Sequence, residues 1–281
     1  MMADRLLERV ISEAIIEDVG EGDHTSLACI NPDAAGTARL LAKQEGVLAG
    51  MRAAMEVFRQ TDSRLGIIRF FNDGDTITQG DVVFEVTGLH QSILRAERLT
   101  LNILQRMSGI ATQTSKYVKA VEGTRAKILD TRKTSPGLRM LEKEAVRIGG
   151  GMNHRMGLYD MVMIKDNHID FAGSIAAAID RTRKYLKEKG LSLKVEIEAR
   201  NIDDVAEILR TGGVDRIMFD NFSADDTLRA VEMVNGRFET ESSGGITLET
   251  VRSFALCGVD FISVGALTHQ ISSLDMSLKA Y

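Results

Sequence analysis

The stretch Ala126-Lys127-Ile128-Leu129-Asp130-Thr131-Arg132-Lys133-Thr134-Ser135-Pro136-Gly137 decides the fold. Ala126 to Leu129 make a short apolar run of the kind that forms a buried strand. Pro136-Gly137 then open a helical pattern through Leu138, Leu141, Ala145 and Ile148. A strand thus delivers two adjacent cations, Arg132 and Lys133, to a strand-to-helix turn. In parallel α/β architectures that edge of the sheet is where ligands bind. A single such turn is as readily a solvated loop. Its weight comes from the strands that follow.

Downstream, strand-like runs recur at 161–165, 194–199, 216–220, 238–242 and 261–265, after the first at 126–130. Helical runs at 138–149, 172–189, 202–211, 224–235 and 247–257 separate them. Alternation without hairpin signals means parallel strands joined by crossover helices. Six strands with this alternation suggest an α/β barrel, yet eight are not visible. A shortened, irregular barrel and an open doubly wound sheet both fit the pattern.

The C-terminal ends of these runs carry a coherent set of groups. The first ends in Asp130-Thr131-Arg132-Lys133, the second in Lys165-Asp166-Asn167-His168, the third in Glu198 and the fourth in Asp220-Asn221. The fifth gives Glu241-Ser242-Ser243-Gly244-Gly245 and the sixth Val264-Gly265-Ala266, while a Gly-rich loop before the second adds His154 and Arg155. Arg132, Lys133, His154, Arg155 and Lys165 suit a substrate rich in carboxylates or phosphates. Backbone N–H groups at Ser243, Gly244, Gly245, Gly265 and Ala266 suit a phosphate. Glu198 and Asp220 are then the acidic groups facing an anionic ligand, which fits Mg²⁺ held directly or through water, sugar hydroxyls, or a developing cation. Each group also has a plainer reading. Glu198 and Asp220 could pair with Arg132 or Lys165, and His168 reads best as a helix cap or a satisfied histidine.

Ahead of this repeat, Leu6, Leu7, Val10, Ile11, Ala14 and Ile15 predict an amphipathic helix over 3–18. The acidic run with Asp18, Glu21, Asp23 and His24 matches no metal-ligand spacing and reads as a solvated loop. Short β segments at 37–43, 46–50, 66–71 and 82–87, with a helix over 51–61, describe a compact β-rich domain. The turns at Asn72-Asp73-Gly74-Asp75 and Gln79-Gly80-Asp81 resemble those of biotinyl and lipoyl carriers. A carrier needs an exposed lysine on a hairpin soon afterwards, and none lies between Asp81 and Arg95. Residues 91–107 form an apolar helix with one polar stripe, Arg95, Arg98, Asn102 and Gln105, and Gly109 is expected to kink or end it before a further helix to Val121.

Composition narrows the classes. The 281 residues are 44% hydrophobic and 27% charged, with no Trp, two Pro and a net charge of −5. That balance argues against broad nucleic-acid or acidic-membrane binding while leaving room for a local cationic pocket. Cys29 and Cys257 give neither metal spacing nor a disulfide framework and read as reduced, buried thiols of a cytoplasmic protein. No run reaches the roughly 20 apolar residues of a membrane span.

The ordered series AERLTLNILQRMSGIAT (96–112), DTRKTSPG (130–137), GGGMNHRMGLYD (149–160), IKDNH (164–168), EIEAR (196–200), DNF (220–222), ESSGGI (241–246) and VGALTH (264–269) resembles the quinolinate phosphoribosyltransferase family. The molybdenum-transport-associated ModD group, acting on another heterocyclic acid, is the nearest alternative, and a non-catalytic carrier the distant one. The resemblance implies an α/β protein with an N-terminal α/β sandwich-like domain over 1–115, joined by a C-terminal helix 271–281. It also implies an irregular, incomplete α/β barrel of six or seven parallel strands over 116–270. It implies a homodimer with shared sites, or a hexamer of such dimers, in which Arg98 reaches the partner's site. The implied reaction converts quinolinate and phosphoribosyl diphosphate to nicotinate mononucleotide with Mg²⁺ and no organic cofactor. Lys133, Lys165, Glu198 and Asp220 would then be catalytic.

Overall fold

The computed structural model describes residues 2–281. The chain divides into two compact units, Met1–Ser115 with Ser135–Gly150 and Gln270–Tyr281, and Lys116–Thr134 with Gly151–His269. Residues 135–150, which the alternation counts as the first crossover of the repeat, cluster with the first unit.

The first unit begins with α1 (Met2–Val19) and α2 (His24–Cys29). The acidic run is therefore shorter as a loop than expected, because the Asp23 carboxylate accepts the Ser26 N–H at 3.0 Å and caps α2. Next come β1 (Ala35–Ala42), β2 (Gly46–Val47), α3 (Met51–Thr61), β3 (Gly66–Arg69), β4 (Thr76–Ile77) and β5 (Val82–Leu89). On α3, Met51, Ala53, Ala54, Val57 and Phe58 are buried, the one-sided stripe of a helix laid on a sheet. Phe58 meets Phe84 of β5 edge-on at 5.6 Å. The two turns ending in Gly-Asp repeat one device: the Asn72 N–H donates to Asp75 and the Thr78 N–H to Asp81, both at 2.7 Å.

One uninterrupted helix, α4 (His90–Ala120), follows. Gly109 neither kinks nor ends it. A side chain there would strike the Ser272 carbonyl, so this glycine serves a close backbone approach. The C-terminal segment is a strand, not the expected helix. Here β12 (Met276–Ala280) pairs antiparallel with β1, Leu278 opposite Leu40, at the edge of a sheet ordered β12-β1-β5-β3. Met276 and Leu278, two residues apart, are both buried, which is strand and not helix periodicity. Gln105, part of the polar stripe, anchors this strand by donating to the Met276 carbonyl at 2.8 Å. The helix α5 (Arg139–Ile148) completes this unit, with Arg106 paired to the buried Glu142 at 2.5 Å.

The second unit runs β6 (Lys127–Leu129), β7 (Val162–Ile164), α6 (Asp166–Ala172), α7 (Ile175–Lys189), β8 (Val195–Ala199), α8 (Ile202–Thr211), β9 (Arg216–Asp220), α9 (Ala224–Val234), β10 (Glu239–Ser243), α10 (Val251–Leu256), β11 (Phe261–Ser263) and α11 (Ala266–His269). Its strands form a parallel sheet ordered β6-β11-β10-β9-β8-β7. Val195, Ile197, Ile217 and Phe219 are fully buried on alternate positions, each contributing about 1.5–3 kcal/mol of burial. The intervening positions, Glu196, Glu198, Arg216, Met218 and Asp220, therefore share the opposite face. That face is the inside of a curl. His154, two residues beyond the Met152 bridge to β6, lies 2.9 Å from Glu196 on β8. A flat sheet would separate β6 and β8 by four strand spacings, roughly 19 Å. The six strands are thus rolled toward a barrel, with β6 and β7 at the two ends of the sheet and β6 extended only by the Met152 bridge.

Candidate active site

Asp130, the last residue of the opening strand segment, is fully buried and knits the Gly-rich loop to β6. Its carboxylate accepts the His154 N–H at 2.8 Å and the Asn153 side-chain amide at 2.5 Å. Arg132 and Lys133 follow as exposed residues and form no ion pair among the described residues. The Thr268 hydroxyl donates to the Lys133 carbonyl at 2.7 Å, which fixes this turn to α11. The Lys133 stem passes beside Gly265, where a side chain would lie 3.2 Å from its Cδ. Arg155, half-buried, donates to the Met161 carbonyl at 3.3 Å. Burial lowers its pKa, and Arg132 nearby lowers it further. Two neighbouring guanidiniums, neither in an ion pair among the described residues, give this end of the sheet an excess of positive charge that suits an anion.

Opposite these cations, Lys165 forms an ion pair with Glu198, and the Asp166 N–H donates to the other Glu198 oxygen at 3.3 Å. This pairing is the plainer reading of Glu198, and it also orients the carboxylate. The Asp220 pKa is raised by burial and then by Glu198. His168 is the cap its sequence position suggested: its Nδ1 accepts the Lys165 N–H at 2.9 Å at the start of α6. Asn221 adopts a left-handed φ of 57° and donates its N–H to the Ser243 carbonyl at 2.9 Å. Gly244, at φ +94°, lies so close to the Asn221 side chain that no Cβ fits. The amides of Gly244, Gly245, Gly265 and Ala266 have no acceptor among the described residues. Since β10 and β11 are neighbours, these donors sit at adjoining strand ends, an anion cradle by geometry.

His154 differs from expectation. Its ring is buried, with Nε2 2.9 Å from Glu196 and 3.5 Å from Glu241, and Nδ1 accepts the Arg155 N–H at 2.7 Å. Both ring nitrogens thus face groups of the protein itself. Burial opposes protonation of the ring, but the two glutamates prevail and raise its pKa to about 9. Glu196 is itself pushed up to about 7 by burial and by Glu241. Arg216 donates to Glu241 at 2.8 Å and lies over the Phe261 ring at 3.9 Å. The strand periodicity could have revealed these glutamates: Glu196 and Glu198 stand two apart in an otherwise apolar run. His154, Glu196 and Glu241 are close enough to hold a metal ion. Arg216 already supplies the balancing charge there, so a divalent ion would face a guanidinium.

Arg98 is exposed on α4 of the first unit. Cys29 is exposed and Cys257 half-buried, and both are free thiols, a departure from the buried pair expected. No helix among the described residues is long and apolar enough to cross a membrane.

Residues 23–108 match the model of the quinolinate phosphoribosyl transferase N-terminal domain, and residues 110–279 that of its C-terminal domain. The chloroplastic nicotinate-nucleotide pyrophosphorylase (carboxylating) of Arabidopsis thaliana is 47% identical over 97% of this chain and 82% of its own length. A probable enzyme of the same name from Bacillus subtilis is 42% identical, over 97% and 92% respectively. The solved nicotinate-nucleotide pyrophosphorylase of Francisella tularensis superposes with a TM-score of 0.91 at 38% identity, covering 99% of this chain and 96% of that one.

Proposed function

The chain belongs to the quinolinate phosphoribosyltransferase family, and from that membership we propose how its strand-end residues carry out the reaction. The enzyme transfers phosphoribosyl from phosphoribosyl diphosphate to quinolinate with decarboxylation, a step of NAD biosynthesis. The observation that carries the assignment of roles is the pair Arg132 and Arg155, two neighbouring guanidiniums that form no ion pair among the described residues. Quinolinate's two carboxylates supply that anion, with Lys133 beside them. The free amides at Gly244, Gly245, Gly265 and Ala266, with Ser243, receive the phosphate of the ribose.

As diphosphate departs, the ribose carbon gains positive charge, which Glu198 and Asp220 stabilise. The same two carboxylates suit Mg²⁺. They repel one another in a half-buried site but make no three-ligand cage, which fits an ion arriving with substrate phosphates and retaining waters. Mg²⁺ would neutralise the leaving diphosphate. Ribosylation leaves the ring nitrogen cationic, and that charge stabilises the electron pair left on the adjacent ring carbon as carbon dioxide departs, until a proton takes it up. No organic cofactor is needed. Lys133 and Lys165 are the candidate proton donors to the ring carbon. Arg98 completes the site of a partner copy in a homodimer or a hexamer of dimers, in a cytoplasmic setting.

Quinolinate, phosphoribosyl diphosphate and Mg²⁺ should yield nicotinate mononucleotide by mass, with one carbon dioxide per turnover. A preference for nicotinate without carbon dioxide release would overturn the reading. Arg98→Ala and Arg132→Ala chains, each inactive alone, should regain activity on subunit exchange; absence of rescue after proven exchange would rule out a shared site.

A further inference from the structure

The loop 149–161 carries Arg155 but contains no helix or strand beyond the one-residue bridge at Met152. A guanidinium on such a loop needs support from beneath if it is to meet a carboxylate in a fixed geometry. That support is visible at His154. Its backbone N–H is held by Asp130, its Nδ1 by the Arg155 N–H, and its Nε2 lies against Glu196 and Glu241. The backbone of Arg155 is therefore tied to the inner face of β8 and β10 through a single imidazole.

The composition of that inner face is itself informative. Barrel interiors are ordinarily filled with branched apolar side chains. Here two glutamates, both 0% exposed, occupy it side by side. Replacing a buried ionic cluster with well-packed apolar residues commonly leaves stability unchanged or improves it. Two like charges in the barrel are thus a poor way to hold strands together and a good way to hold a histidine.

We propose that Glu196 and Glu241 are positioning residues: from inside the barrel they clamp the His154 ring, and through its Nδ1 contact with the Arg155 N–H they aim the Arg155 guanidinium at a quinolinate carboxylate. The inference rests on the quinolinate reading given above. Glu196 touches no substrate in this arrangement and acts only through His154.

The test is steady-state kinetics on Glu196→Leu and Glu196→Gln in the full-length enzyme, with each substrate varied separately. Glu196→Leu keeps the volume and removes the clamp. Its KM for quinolinate should rise by roughly 10- to 100-fold, the scale for loss of a supporting contact behind a binding group. Its KM for phosphoribosyl diphosphate, bound at other strand ends, should stay within about twofold. Glu196→Gln keeps an oxygen for Nε2 and should restore quinolinate KM to within about threefold of wild type. A quinolinate KM unchanged in Glu196→Leu, an equal loss for both substrates, or a Gln variant as impaired as Leu would each overturn the proposal. Should the Leu variant not fold, Glu196→Met, which also removes the oxygen facing Nε2, decides by the same criterion: a selective rise in quinolinate KM supports the clamp, and no selectivity overturns it. A wild-type enzyme that does not turn over quinolinate at all would instead sink the underlying reading.

Discussion

Glu196 and Glu198 lie two residues apart on one face of β8, yet their surroundings diverge. Glu198 meets Lys165, whose side chain is 44% exposed, at the mouth of the curled sheet. Glu196, one layer down, meets His154, whose side chain is 4% exposed. The same divide separates the cations. Arg216 in the interior is matched by Glu239 and Glu241, at 3.1 and 2.8 Å, whereas Arg132 and Lys133 at the mouth have no such partner among the described residues. The interior charges are matched within the protein, whereas the mouth combines one matched pair, Lys165 with Glu198, with cations that form no ion pair among the described residues. Substitutions in the two layers should therefore fail in different ways.

The largest effect belongs to the interior. Arg216→Met leaves Glu241 buried beside Glu196 without its guanidinium, and should cost about 3–5 kcal/mol of stability, read from the urea midpoint. A loss below about 1 kcal/mol would mean the interior charges are not mutually dependent. At the mouth, Glu198→Gln and Asp220→Asn should each lower kcat by on the order of 10²-fold, with far smaller changes in quinolinate affinity. Near-normal kcat with a lowered melting temperature would move these residues to the structural layer.

How far this division is legible in the sequence depends on the element. The βα repeat was readable because each strand is a compact apolar run and each helix has its own period. The mouth was readable because charged and Gly-rich segments recur at strand ends. The interior was not: Glu241 reads as part of the fifth strand end and Glu196 as part of a strand, with no role for either, because a strand's alternation does not say which face is the inside until the sheet's curl is known. Gly109 misled for a related reason. A glycine in a helical pattern looks like a break, and only the Ser272 carbonyl against it explains its place in an unbroken α4. The C-terminal strand was missed because Met276 and Leu278 offer too short an alternation to outweigh the helix implied by resemblance, whereas the edge of β1 decides it.

Smaller effects sharpen the boundary between the layers. Gly244→Ala must hold φ at +94° against Asn221, a strain of roughly 1–2 kcal/mol, and should raise KM for phosphoribosyl diphosphate without altering that for quinolinate. Equal effects on both substrates would remove this turn from the phosphate cradle. Asp220 gives the smallest signal. Its pKa is raised in the folded protein, so its charged form opposes folding; that penalty is absent below the ordinary value of 3.8 and grows as pH rises through the raised one. Asp220→Asn should therefore melt slightly higher than wild type at pH 8, with the gap closing toward pH 4. A gap that widens on acidification would contradict the shift.

The most direct test of the division is the thermal shift produced by quinolinate on wild type and on Arg132→Ala. With Arg132 unbalanced by the protein, Arg132→Ala alone should melt at the wild-type temperature, and the stabilisation that quinolinate confers on wild type should be lost. An Arg132→Ala enzyme that melts well below wild type yet is still stabilised fully by quinolinate would contradict it.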